Sequence, residues 1–120
     1  MRVYKVVLNK GGRLVSSLAR GKAQVEYRPG KWSKAPRWLQ MEGYHLLVFD
    51  NKEDALIYLL DTPGGECWEA EGEEEVPLPY SYLLVDLEKG WPKEDWRGKG
   101  WEWPRGTKMF KRVRLIRRVA

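Results

Sequence analysis

The chain is poor in the residues that most catalytic chemistry needs. Among 120 residues there is one cysteine and one histidine. A lone Cys67 excludes an internal disulfide and fits a reducing compartment. It has no CxxC partner, its neighbours are Glu66 and Trp68, and a reactive thiol needs a positive charge beside it. A buried small hydrophobe is therefore expected at this position. His45 has a pKa range that suits a general base or a metal ligand. It lies in an apolar segment with no second His and no Cys or carboxylate at ligand spacing, so a zinc site and a catalytic triad are both excluded. A packed or hydrogen-bonded histidine is the expectation.

Other absences narrow the field further. No apolar run approaches the ~20 residues of a membrane helix. The opening Met-Arg-Val-Tyr-Lys-Val-Val alternates charge and lacks the apolar stretch of a signal peptide. No membrane association and a cytoplasmic location are expected. Gly11-Gly12 and Gly64-Gly65 make neither a phosphate loop nor a dinucleotide fingerprint, and residues 71–75 lack the spacing of a calcium loop. Neither cofactor nor metal is called for. Side-chain amides are confined to Asn9, Asn51, Gln24 and Gln40 while Glu, Lys and Arg abound, a bias found in hyperthermophile proteins.

What the chain does have is charge sorted into three blocks. Residues 1–40 carry ten Lys/Arg against Glu26 alone. Residues 41–95 carry fifteen Asp/Glu against three Lys, and residues 96–120 carry nine Lys/Arg against Glu102. The fold must either pair the basic ends with the acidic middle or present two faces of opposite sign.

The local patterns predict one α+β domain over residues 1–120. It would be a mostly antiparallel sheet of about five to seven strands with one main helix near 51–60. Residues 2–8 and 13–18 read as a hairpin around Asn9-Lys10-Gly11-Gly12. Residues 22–27 alternate as a half-buried strand, and 31–43 read as a loop with a helical turn near 36–41. Residues 44–49 are apolar enough for a central strand. The helix after it is expected to start on an Asp50–Glu53 capping pair and to bury Ala55, Leu56, Leu59 and Leu60. A strand at 66–71, an exposed acidic loop at 71–75, a strand at 80–87 and a long loop at 88–107 follow. Residues 108–119 fit a strand or a helix by spacing, and their Val and Ile content favours the strand. That strand would place Met109, Val113 and Leu115 on one face and Phe110, Arg112, Arg114, Ile116 and Arg118 on the other.

Two segments carry functional signals. Between Gly90 and Gly106, Trp is interleaved with Lys, Arg and Gly, as in proteins that stack single-stranded bases and hold phosphates. Trp101 and Trp103, near Arg97, Lys99 and Arg105, are the available rings. The competing reading is that these Trp residues cover a small core. The second segment is the acid-free run Lys108, Lys111, Arg112, Arg114, Arg117 and Arg118. It would bind phosphate if exposed, or be neutralised by the acidic block.

The blocks Tyr4-Lys5-Val6-Val7, Gly12 to Ser16, Tyr27 to Trp32, Gly43 to Asp50 with Glu53-Asp54-Ala55, Trp103 to Thr107 and Lys111 to Leu115 together resemble small uncharacterised proteins of phages, archaeal viruses and thermophiles. The resemblance implies a viral or mobile-element provenance in a host cytoplasm and carries over no functional residue. The leading expectation is a small non-enzymatic binding protein that contacts nucleic acid through a basic face. The alternative is a protein-interaction or counter-defence module, acting as an acidic nucleic-acid mimic or as a trap for a phosphorylated small ligand. A ribonuclease-like enzyme using His45 is the weakest reading, because a single base titrates near neutrality.

Overall fold

Val3, Lys5 and Val7 fall on one side of an extended segment, and Tyr4 and Val6 on the other. That alternation makes β1, Arg2–Lys10, a strand with two buried faces. The computed structural model describes residues 1–17, 21–78 and 103–120. A turn through Gly11 and Gly12 leads to β2 (Arg13–Ser16). Then come a 3-10 turn at Gly21–Ala23, β3 (Glu26–Tyr27), β4 (Trp32–Ser33), α1 (Arg37–Met41) and β5 (Leu46–Phe49). Helix α2 (Lys52–Leu60) and two long strands, β6 (Gly65–Val76) and β7 (Thr107–Arg118), complete the fold.

Among the described residues the architecture is α+β, with seven antiparallel strands and one main helix. The strands run in the order β3-β2-β1-β5-β7-β4, and β6 pairs with both β1 and β7, which closes a small barrel. Val3, Val7, Tyr27, Leu39, Val48, Ala70, Phe110, Val113 and Leu115 belong to the main core. A second cluster, Val6, Phe49, Ala55 and Cys67, lies under α2. Cys67 is fully buried, as expected, and burial pushes its thiol pKa up.

Several expectations are corrected. Residues 22–27 form a 3-10 turn and a two-residue strand rather than one continuous strand. The cap of α2 is Asn51, not Asp50: its side-chain oxygen accepts the Asp54 amide N–H at 2.8 Å. Leu60 points to solvent and Ala55 is the fully buried residue of that helix. The expected strand at 80–87 lies outside the described residues. Residues 71–75 are not a loop, because β6 continues through them to Val76.

That continuation resolves the three charge blocks. The acidic strand β6 runs between basic neighbours, with Glu71 opposite Arg2 on one side and Arg114 on the other, Glu73 opposite Arg112, and Glu69 opposite Arg117. Opposite charges facing each other across a ladder support the pairing. Glu69 is engaged by both Arg2 and Arg117, Glu73 by Arg112, and Glu75 by Lys108 at 3.5 Å. Glu66 accepts from the Asn9 amide and the Trp68 indole N–H and lies 3.4 Å from Arg118. The Asn9 hydrogen bond leads these contacts in holding the Glu66 carboxyl below its usual range, against the opposing effect of burial.

Gly72 explains a further correction. A Cβ on Gly72 would sit 2.8 Å from the Phe110 ring, so the ring occupies the space that a side chain would need. Phe110 is therefore core, together with Val113 and Leu115, and not on the arginine face as its spacing suggests.

Two outcomes follow for stability. Gly72→Ala forces the Phe110 ring to shift and should cost about 1–3 kcal/mol in denaturant unfolding. Glu69→Gln leaves Arg2 and Arg117 without their buried carboxylate. It should cost about 1–2 kcal/mol, with the loss shrinking in molar salt because both arginines are more than half exposed.

Candidate functional site

The sequence-derived basic site does not assemble as a free surface. Arg97, Lys99 and Trp101 lie outside the described residues. Trp103 is half-buried and packs against the main core. Arg105 is exposed, in a shallow groove with Asn51 and Asp54. Lys108, Arg112, Arg117 and Arg118 are each paired with a glutamate of β6, for the electrostatic reason given above. Lys111 is exposed, and Arg114 has no ion pair among the described residues.

Arg114 instead joins a cluster that the sequence reading passed over. The short strand β4 pairs with β7 so that Trp32 stands opposite Arg114. The Arg114 guanidinium lies 4.7 Å from the Trp32 ring centroid, and that of Arg112 lies 5.5 Å from it. Both distances are within cation–π range. Residues 31–38, Lys-Trp-Ser-Lys-Ala-Pro-Arg-Trp, hold three cations, two tryptophans and no acid. Lys31, Lys34 and Arg37 are exposed and have no ion pair among the described residues, and Trp32 and Trp38 are each 38 % exposed. Pro36 precedes α1 and ends the extended stretch, while Leu39 anchors the helix in the core. The signal was present in the sequence as Trp alternating with Lys and Arg, the same pattern that singled out residues 90–106.

A second assembly lies inside the barrel. Lys5 shares its side of β1 with Val3 and Val7 and is only 7 % exposed. Its Nζ donates to the Leu47 carbonyl oxygen at 2.6 Å and lies 5.2 Å from the Tyr27 ring centroid. No carboxylate pairs with it among the described residues. Burial pulls its pKa down to about 7, because the charged ammonium is poorly solvated there.

Lys5 lines a cavity of about 50 Å³, together with Ser16, Tyr27, His45, Phe49 and Trp103. The Tyr27 hydroxyl and the His45 Nδ1 are buried with no hydrogen-bond partner among the described residues. Burial raises the Tyr27 pKa well above the usual phenol range, and the nearby Ser16 hydroxyl partly opposes the rise. For His45, burial and then the Lys111 charge lower the pKa. His45 is thus a half-buried wall of the cavity, with its backbone N–H donating to the Met109 sulfur at 3.2 Å. The signal for this site was one lysine breaking the apolar side of the first strand.

Among the described residues no group of three or more His, Cys, Asp or Glu could hold a metal ion, and no helix is long and apolar enough to cross a membrane. No family model matches the chain, and no curated protein or solved structure matches it either.

The Lys5 environment fixes the sign of a pH effect. The folded pKa lies below the ordinary value of 10.5, so between the two the unfolded chain binds the extra proton and stability rises with pH. From pH 7 to about 8.5 the wild type should gain about 1–2 kcal/mol relative to Lys5→Met, measured by urea unfolding. Above that window Cys67 and Tyr27, whose folded pKa values are raised, withdraw stability in both proteins.

Proposed function

We propose that the protein is a non-enzymatic binder of single-stranded nucleic acid, contacted through residues 31–38 and Arg114. The observation that carries this reading is the half-exposed Trp32 ring beside the Arg114 guanidinium, flanked by the unpaired cations Lys31, Lys34 and Arg37. An exposed indole offers a stacking surface to any base, and free Lys and Arg side chains neutralise the adjoining phosphates. The cations paired along β6 are poor phosphate ligands, since each must first give up a carboxylate. The basic face is therefore narrower than the composition suggests and is centred on β4 and α1.

Fluorescence anisotropy with labelled oligo(dT) and oligo(U) tests this reading. About four phosphate contacts on a single strand give a slope near −3 in log affinity against log salt. Trp32→Ala should weaken binding by about 1–3 kcal/mol, the worth of one stacked base. Arg117→Ala should leave affinity nearly unchanged, because its partner is Glu69. Salt-insensitive binding, or full affinity in Trp32→Ala, would refute the reading.

A further inference from the structure

The barrel cavity lies behind the β4–α1 segment, sharing Ala35 and Leu39 as walls, but its polar groups are different ones and give it a chemistry of its own. Its walls are mostly apolar, with Val25, Leu39, Leu46 and Phe49 among them. Against these walls stand the Lys5 amine, the Tyr27 phenol with the Ser16 hydroxyl near it, and the His45 imidazole, whose Nδ1 is likewise without a hydrogen bond among the described residues. Lys5 has a single hydrogen bond, to the Leu47 carbonyl, and so retains N–H donors that no described group accepts. Tyr27, 2 % exposed, has a hydroxyl that makes no hydrogen bond of good geometry among the described residues, with the Ser16 hydroxyl its near neighbour. Buried polar groups are nearly always satisfied, and a buried cation is costly unless an anion accompanies it. An amine and a phenol in the same cavity form a donor pair with no acceptor for both among the described residues.

Size and shape narrow the acceptor. At about 10–15 Å³ per water-sized sphere, a cavity of about 50 Å³ takes about three to five small atoms. A carboxylate, with three heavy atoms, fits that space with room to spare, whereas a phosphate, with five, would fill it completely and carries more charge than one lysine offsets. Around the cavity, Leu47, Tyr58, Trp103 and Pro104 are only half-buried, so an apolar body attached to the headgroup has a surface to lie on. We propose that the barrel cavity binds the carboxylate of a small monocarboxylic acid with an apolar body, its oxygens accepting from Lys5 Nζ and the Tyr27 hydroxyl. The carboxylate supplies the negative charge that the barrel interior lacks, and Lys5 becomes a paired ammonium when the site is filled.

Calorimetric titration of the full chain at neutral pH with hexanoate, hexanamide and inorganic phosphate tests the site. Hexanoate should bind saturably and raise the melting temperature. Hexanamide, the same size but uncharged, should bind at least about tenfold more weakly, the loss of one charge-assisted hydrogen bond. Phosphate should not compete. Lys5→Met, which removes a buried charge and keeps the side-chain length, should abolish hexanoate binding while circular dichroism stays native. Tyr27→Phe should weaken it severalfold and serves as the second variant. Absence of saturable hexanoate binding to the wild type overturns the proposal. So do equal affinity for hexanamide, stronger binding of phosphate than of hexanoate, and undiminished binding in Lys5→Met. Oligonucleotide binding reports on the β4–α1 surface alone, so the two readings fail separately.

Discussion

The structure depends on one acidic strand held between two basic ones. β6 pairs with β1 along one edge and with β7 along the other, and this double pairing closes the barrel. Its outward glutamates stand opposite arginines from both ends of the chain. Without those partners, six glutamates in one strand would repel each other and the strand would not stay extended. With them, ends far apart in sequence are brought to a common ladder, and Glu69 is shared between Arg2 and Arg117. The same pairing withdraws most of the C-terminal cations from solvent partners. Among the described residues a chain of net charge +5 therefore offers less free positive surface than its composition implies.

The barrel interior answers to a different rule. It is apolar apart from a few polar groups on its wall, and the largest departure is a lysine whose charge has no partner among the described residues. Proteins place such groups where stability is less important than a poised chemical property. Here the property is an amine whose pKa burial lowers to about 7, set beside the Tyr27 phenol. Closure of the barrel creates the low dielectric, and the low dielectric sets the pKa. The ion-paired ladder outside and the isolated amine inside thus have a common origin in the route taken by β6.

Where the sequence-based expectations fell short, the reasons are local and physical. The acidic run 71–75 reads as solvated loop because four acids in five residues look unfit for a strand, and only the facing arginines make it one. Phe110 reads as an outward residue by parity, but the missing side chain at Gly72 leaves a gap that its ring fills. The cap moves from Asp50 to Asn51, one residue along, because either side chain can accept an N–H and the register of the first turn decides. The Trp32 cluster was visible as residue types but not as a site, since its partner Arg114 lies 82 positions away and arrives only through strand pairing.

By itself the sequence determined the class of fold, the hairpin at its start, the strand and helix around Asp50, the C-terminal strand and the burial of Cys67. These follow from side-chain periodicity and from turn and cap residues that act within a few positions of themselves. It also posed the choice between pairing the charge blocks and displaying them. The tertiary structure alone decided that choice, along with the inward position of Lys5 and the meeting of Arg114 with Trp32. Each of these depends on which strands become neighbours, and electrostatic energy and solvation are properties of neighbours in space.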